Sequence, residues 1–580
     1  MAFTPAASAL SVLLLLLVPF VWDDFTAYQL GLYLLFGMVG QGIALCWGRA
    51  GFLPLGQALF FGIAAYISGY VLRGAADWFH YVPGFIAAIL VPTLLAWIVG
   101  VLAFDRQSGS GPYFSLITLA LCMLGAQLAN SMDWLTGGFN GLTGIEGLPG
   151  VDTYSQLYYI VVLALAVTTY LLGHVYRLPF GQLLEAVREN EDRLALFGFR
   201  TGRLKALAFA LSAAVAGLAG ALYAPLQGIV TPQALGFQLS ADMVIWTAVG
   251  GRFGVLGPVV GSVAIGFLAS GLRDSFQYWE IAVALVFLVV VLKLPGGLGG
   301  LTELLAERLG WSFFQRKTLE RTQIIEAKKA SDGAKLEFDK VNVRMGPVAI
   351  LNGLSFTIDR PGIHCIIGPN GAGKTSAFNV MTGKLPVKAG HVTWRGLELH
   401  KGKTFAAAKK GVGRKLQVPS IFAGMTIAQN LDLGLWANRL KGVRLFSYRP
   451  YRWKTMALAQ QLHHFDFLTH PETRAGSLSV GQRQMLDLAM TMLAEPELVL
   501  LDEPCAGLST TETERMINAI AAMAAGTHAI FVIIEHDMQV VERLSNHVFV
   551  FHQGALLASG RMDEIKTNDA VKRVYSGGTK

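Results

Sequence analysis

Residues 363–376 read IHCIIGPNGAGKTS and carry the densest chemistry in the chain. The apolar run Ile363 to Ile367 reads as a buried strand. It enters Gly368, Pro369, Asn370, Gly371, Ala372 and Gly373, after which Lys374, Thr375 and Ser376 open a helix-prone stretch. Small residues permit a tight loop whose backbone N–H groups, with the next helix N-terminus, surround phosphate oxygens. In that arrangement Lys374 reaches the β- and γ-phosphates and Thr375 offers a hydroxyl to Mg2+. Downstream, Leu498-Val-Leu-Leu reads as a second buried strand, ending in Asp502 and Glu503. Asp502 suits the Mg2+ shell, and Glu503 is placed to polarise an attacking water for phosphoryl transfer. An acidic pair after an apolar run is weak by itself. Behind a phosphate loop it points to hydrolysis of a nucleoside triphosphate.

Such residues need a sheet to hold them, and the alternating stretches LEFDKVNV and LSFTI, from Leu336 onward, supply short antiparallel strands ahead of the loop. The rest of the chain is of another kind. Over 580 residues the mean hydropathy is +0.47, with 53% hydrophobic and 15% charged residues, too apolar for an ordinary soluble chain. Residues 1–300 hold 26 Asp, Glu, Lys or Arg and residues 301–580 hold 60. The expected fold class is therefore a polytopic α-helical membrane domain fused to an α/β P-loop domain. We divide the chain into a transmembrane domain at 1–300, a basic interfacial linker helix against membrane lipid at 301–335, and the nucleotide-binding domain at 336–580.

Crossing a bilayer takes about 20 apolar residues. Candidate spans lie at 6–22, 25–47, 51–72, 83–104, 113–131, 155–175, 204–226 and 277–294, and 241–271 is apolar enough for two short or broken spans, making about ten. The first lacks a basic flank and meets Asp23 and Asp24 where a cleavage site would lie, so it reads as an anchor. With the N-terminus inside, the inner loops contain Arg49, Arg106, Arg177, Arg188, Arg193, Arg200, Arg203 and Arg252, while acidic residues dominate the outer ones, as the positive-inside rule requires. Glycines within the spans serve close helix packing, and Gly250, Gly251 and Pro258 bracket a candidate broken helix. Without a convincing charge at mid-membrane, a proton- or ion-driven pump is disfavoured. The formal charge of +8 belongs to residues 301–580 and forms no run of like charges, so no nucleic-acid partner is expected. Four scattered cysteines show no metal-ligand spacing. One inner loop, 179–200, is polar and helix-prone. Glu185, Arg188, Glu189 and Arg193 share i, i+3 and i+4 spacings, as in a short amphipathic helix that docks into a partner, or in a solvated connector.

Between the phosphate loop and the acidic strand lies Leu478-Ser479-Val480-Gly481-Gln482. With Gln417 in RKLQVPSIF, the AGLS turn at Ala506 to Ser509, and His536 in FVIIEHDM, this set resembles the ATP-binding cassette of ABC transporters across residues 336–580. The resemblance implies ATP and Mg2+ as ligands. It implies Gln417 as the residue that senses Mg2+ and the membrane domain, Ser479, Gly481 and Gln482 as part of the signature that closes over a partner's nucleotide, and His536 as the switch at the γ-phosphate. Val480 departs from the commonest LSGGQ form. Met345 stands where such cassettes place an aromatic ring on the adenine. The stretches WGRAGFLPLGQALFFGIAAY, TGGFNGLTGI and AVGGRFGVLGPVVG resemble permeases of the branched-chain amino acid and urea uptake branch, and Glu185 to Val187 echo an importer coupling helix, with Glu185, Arg188 and Glu189 as coupling residues. The two resemblances together imply an importer of small solutes of the branched-chain (hydrophobic) amino acid or urea/short-amide class, in a bacterial inner membrane with its ATPase domain in the cytoplasm. Its expected partners are a second permease, a second cassette and a periplasmic solute-binding protein. An exporter would carry long helical extensions into the cytosol, and a membrane-tethered regulatory ATPase is the remaining alternative.

Overall fold

Long apolar runs without internal charge satisfy their backbone groups only as helices once water is excluded, and residues 24–293 follow that rule. The computed structural model describes residues 15–575 apart from 75–76, 107–110, 154, 274, 295, 301–321, 324–333, 441, 448–451 and 454–469. The expected linker at 301–335 lies almost wholly outside the described residues, as does most of the expected span at 6–22. The described residues fall into two units, one drawn from Met1–Arg188 and Thr201–Thr318, the other from Glu189–Arg200 and Leu319–Lys580. Residues 189–200, which fall within the membrane domain expected from the sequence, thus pack as part of the second unit.

The first unit contains α1 (Asp24–Ala44), α2 (Gln57–Gly74), α3 (Trp78–Arg106), α4 (Gly111–Ser131) and α5 (Gln156–Arg177). After the first part of α6 (Pro179–Leu196) come α7 (Thr201–Gln227), α8 (Phe237–Gly250), α9 (Gly257–Arg273) and α10 (Trp279–Lys293). Among the described residues five helices are long and apolar enough to cross a membrane, with Gly257–Arg273 and Trp279–Val290 shorter. Beside these stand α2 at the expected 51–72 and the short α8 and α9, the two pieces expected of 241–271, while the expected span at 6–22 lies mostly outside the described residues. Burial separates two roles: the apolar window of Asp24–Arg49 is 83% buried and that of Thr201–Gln227 is 67% buried, against 22% for Trp78–Phe104 and for Gly111–Ser131. The first pair forms the centre of the bundle and the second pair its periphery.

Small residues explain the close approaches. A Cβ on Gly220 would lie 2.0 Å from the Phe61 carbonyl oxygen, so α7 and α2 touch backbone to backbone there. The chain does break at 250–257: α8 stops at Gly250, Gly251 has φ +108, and α9 begins at Gly257. Loops that the charge pattern puts on one side also meet: Arg49 pairs with Glu185 at 2.9 Å, Arg188 donates to the Gly48 carbonyl, and the Arg188 and Arg252 guanidinium groups both stack on Phe253.

The second unit holds two sheets. Strands β1 (Leu336–Met345), β2 (Val348–Ile358), β4 (Ala389–Trp394) and β5 (Leu397–Glu398) form an antiparallel sheet in the order β2-β1-β4-β5. The other sheet uses β3 (Gly362–Ile367), β6 (Val412–Lys415), β7 (Leu498–Asp502), β8 (Ile530–Ile534), β9 (His547–His552) and β10 (Ala555–Gly560), in the order β10-β9-β3-β8-β7-β6. All its pairings are parallel except β9 with β10. Its central strands β3, β7 and β8 read as continuous apolar runs because both faces are covered. One core joins the two sheets through Phe338, Phe356, Trp394, Phe378 and Phe551, and the other packs Met485, Leu488, Met516 and Ile520 beneath β3, β7 and β8.

Candidate nucleotide site

Parallel register builds the site. Ile534 is level with both Ile366 and Asp502, and Lys415 is level with Leu501. Strands β3, β8, β7 and β6 therefore end at one edge of the sheet, where ligands of open α/β sheets bind. The residues just past those ends are the phosphate loop, His536, Glu503 and Gln417.

The loop runs from Ile367 to helix α11 (Lys374–Met381), with Gly371 at φ +81 and Gly373 at φ +96, conformations that a side chain would strain. Gly373 is also the N-cap of α11, so the first N–H groups of that helix face the loop. Lys374 is buried, and its Nζ donates to the Gly368 carbonyl at 2.6 Å and the Pro369 carbonyl at 3.1 Å. Burial pushes its pKa below the ordinary lysine value, while Glu503 and Asp502 pull the other way. Thr375 is exposed and Ser376 half-buried.

Glu503 sits at φ +44, an uncommon conformation for a residue with a side chain, held by its N–H donating to the Ile534 carbonyl at 2.9 Å. Its carboxylate receives Gln417 Nε2 at 2.8 Å on Oε2 and faces His536 Nε2 at 2.9 Å from Oε1. Asp502 is buried and pairs with Arg414 through Oδ2 at 3.3 Å, while Oδ1 has no hydrogen-bond partner among the described residues. A buried carboxylate oxygen left over, with the Thr375 hydroxyl and the Gln417 amide oxygen past neighbouring strand ends, is a donor set of the chemistry that suits a hard cation such as Mg2+. Burial pushes the Asp502 pKa up, against the pull of Arg414.

Ser479 caps α12 (Val480–Leu493), its Oγ accepting from Gln482 N at 3.2 Å while Gln482 Oε1 accepts from Ser479 N at 3.0 Å. Among the described residues the hydroxyl proton meets no acceptor, which leaves it for an outside one. The capping box occupies the Gln482 amide oxygen, a partner not foreseen from the motif. A Cβ on Gly481 would meet only the carboxylate end of the Glu512 side chain, and Val480 is exposed. Met345 is exposed at the end of β1, opposite Val348 in a turn through Gly346 at φ +57.

The expected coupling residues separate. Glu185 and Arg188 form an ion pair of 3.7 Å and pack in the first unit, whereas Glu189 Oε2 accepts from Gly424 N at 3.0 Å in the second. Four residues matter in ways the motifs do not reveal. Arg414 lies in a wholly buried strand, a place where a basic residue signals a paired acid. Glu535, with its pKa pushed up by burial, accepts from the N–H groups of Cys505 and His536 and ties the turn after Glu503 to the His536 loop. Arg193 and Asp487 form an ion pair of 2.5 Å with both side chains fully buried. Removing one partner of such a pair costs about 3–5 kcal/mol.

A phosphate loop, an acidic strand end, a glutamine loop and a histidine past the adjacent strand define an ATP-binding cassette. Residues 25–294 match the family described as branched-chain amino acid transport system / permease component, and residues 351–506 match the ABC transporter family. The chain is 33% identical over 248 residues to the high-affinity branched-chain amino acid transport ATP-binding protein BraF of Pseudomonas aeruginosa, covering 42% of this chain and 97% of that one. It is 34% identical over 244 residues to LivG of Salmonella typhimurium, a protein of the same description, covering 40% and 94%. A solved ATP-binding cassette of an ABC transporter in its ADP conformation has 23% identity and a TM-score of 0.36, covering 42% of this chain and 99% of that one. The chain belongs to the ABC transporter family, as a fused permease and ATP-binding cassette of the branched-chain amino acid type. It is a membrane protein whose cassette hydrolyses ATP in step with transport.

Proposed function

We propose that this chain is the permease and ATPase subunit of an importer for small solutes of the branched-chain amino acid or short-amide class, urea included. It receives its solute from a periplasmic binding protein and works with a second permease and cassette, in the bacterial inner membrane with the cassette in the cytoplasm. The observation that carries this reading is the union, in one chain, of a permease of this type with a cassette whose Gln417, Glu503 and His536 converge.

In this reading the loop from Gly368 to Gly373 and the N-terminus of α11 hold the phosphates, and Lys374 exchanges its two loop carbonyls for phosphate oxygens. Thr375, Gln417 and Asp502 would hold Mg2+, which would supply positive charge to offset that on the phosphates. Glu503 orients the attacking water and accepts its proton. His536 leaves Glu503 for the γ-phosphate when nucleotide arrives, which frees one carboxylate oxygen for water, and Gln417, which occupies the other, would be among the residues holding Mg2+. Ser479 and the backbone of Gly481 serve the nucleotide on the partner cassette. The test is uptake by proteoliposomes loaded with ATP and supplied with the purified binding protein: labelled leucine or urea should accumulate, and ATP-independent equilibration of both would refute the reading.

A further inference from the structure

Among the described residues the six-stranded sheet ends at β6, whose outer carbonyls have no neighbouring strand. One of them, on Arg414, accepts a 2.6 Å bond from Arg193 Nη1. Arg193 comes from the 189–200 segment, and a break in α6 aims it there. Asn190 leaves the helical region, at φ −156 and ψ 87, its Oδ1 accepts from Arg193 N at 2.9 Å, and its Nδ2 donates to Ser420 Oγ at 2.9 Å. The other arm of the guanidinium, Nη2, meets the Asp487 carboxylate at 2.5 Å, the Asp487 carbonyl at 3.2 Å and Thr491 Oγ1 at 2.9 Å.

Arg414 is the residue that connects the parts of the nucleotide site. Its guanidinium donates to Asn379 Oδ1 at 2.7 Å and Thr382 Oγ1 at 3.2 Å, in and just after α11, and to Asp502 at 3.3 Å. A few residues on, Gln417 reaches Glu503. We propose that Arg193 is a positioning residue for ATP hydrolysis, fixing the free edge of β6 so that Arg414 holds Asp502 and Gln417 holds its place at Glu503. The inference deepens the transport reading and rests on it in one respect: α5 and α7 flank this segment in the chain, so a rearrangement of those helices acts on β6 through one guanidinium. The planar fork matters because one side chain serves a main-chain carbonyl and a carboxylate together, which an ammonium cannot do with the same geometry.

The experiment compares wild type, Arg193→Lys, Arg193→Met, Asp487→Leu and the double variant Arg193→Met with Asp487→Leu, each as the full chain in lipid with its partner subunits. Arg193→Met should lower kcat for ATP about tenfold with KM changed less than about twofold. Asp487 also accepts from Ser420 N at 3.2 Å and faces the buried Lys415, so the double variant is read against Asp487→Leu alone, to which adding Arg193→Met should raise the melting temperature while kcat stays low. Arg193→Lys should restore only part of the rate. Recovery of kcat together with melting temperature in the double variant, or an effect confined to KM, would overturn the proposal. Absence of solute-stimulated hydrolysis in the wild type counts against the importer reading alone, since basal ATPase still tests Arg193.

Discussion

Glu503 carries two hydrogen-bonding neighbours, and its strained backbone is held by the Ile534 carbonyl. Because the carboxylate acts on water rather than on nucleotide, Glu503→Gln should keep ATP affinity and lose hydrolysis by about 10²- to 10⁴-fold, the range general-base catalysis contributes. Lys374→Ala should instead weaken binding itself. Nucleotide titration beside a phosphate-release assay separates the two, and equal turnover in wild type and Glu503→Gln would remove the role from Glu503. Met345 gives a second prediction at this scale. A thioether contributes about 0.3–1.5 kcal/mol on an aromatic face, and an aromatic ring about 1–3 kcal/mol per stacked base. Met345→Tyr should therefore tighten ATP binding by up to about tenfold. Unchanged affinity would mean that another side chain holds the adenine.

Among the elements, strand β3 carries a titrating group into the core. His364 is buried on β3, and its Nε2 lies 2.9 Å from the Arg360 carbonyl oxygen. Its pKa is lowered from 6.5, first by burial and then by His547, with the Arg360 carbonyl and Asp359 acting in the opposite direction. The unfolded chain takes up a proton as pH falls through 6.5, which the buried ring resists. The stability this neutral ring contributes is fully present above that pH and is lost as pH falls towards the depressed folded value. Melting temperature should drop across this window in the wild type and less so in His364→Gln; parallel profiles would refute the assignment. The second part of α6 gives another test. Glu189→Ala removes the acceptor of Gly424 N, far from any phosphate, and should reduce uptake while basal ATPase remains measurable. Uptake at the wild-type rate would show that this contact carries no coupling.

At the scale of the whole molecule, one chain supplies one phosphate loop and one signature segment, and on the proposed reading each completes a site with a second cassette. Ser479→Ala should then slow hydrolysis while leaving ATP affinity of the unpaired chain unchanged, because its hydroxyl serves the partner's nucleotide. The lost N-cap alone costs about 1 kcal/mol of helix stability, which a melting curve measures separately. A matching loss of ATP affinity in the variant would place Ser479 at its own chain's nucleotide. The permease unit shows the same economy of contact in its glycines: α7 meets α2 at Gly220, and the backbones around Gly250 and Gly257 touch.

Local signals were legible in the amino-acid sequence. The phosphate loop can be read because its glycine conformations are demanded at those residues, the strands because burial on both faces leaves apolar runs, and the membrane helices because lipid imposes length and composition. Tertiary structure alone decided what depends on register. Nothing local says that Ile534 lies level with Asp502 and Ile366, yet that alignment brings Gln417 and His536 to the Glu503 carboxylate. Arg193 read as one more charge on a polar loop. Its burial follows from a break at Asn190 and an acid nearly 300 residues away, and an isolated sequence carries no record of which buried charge will find which partner.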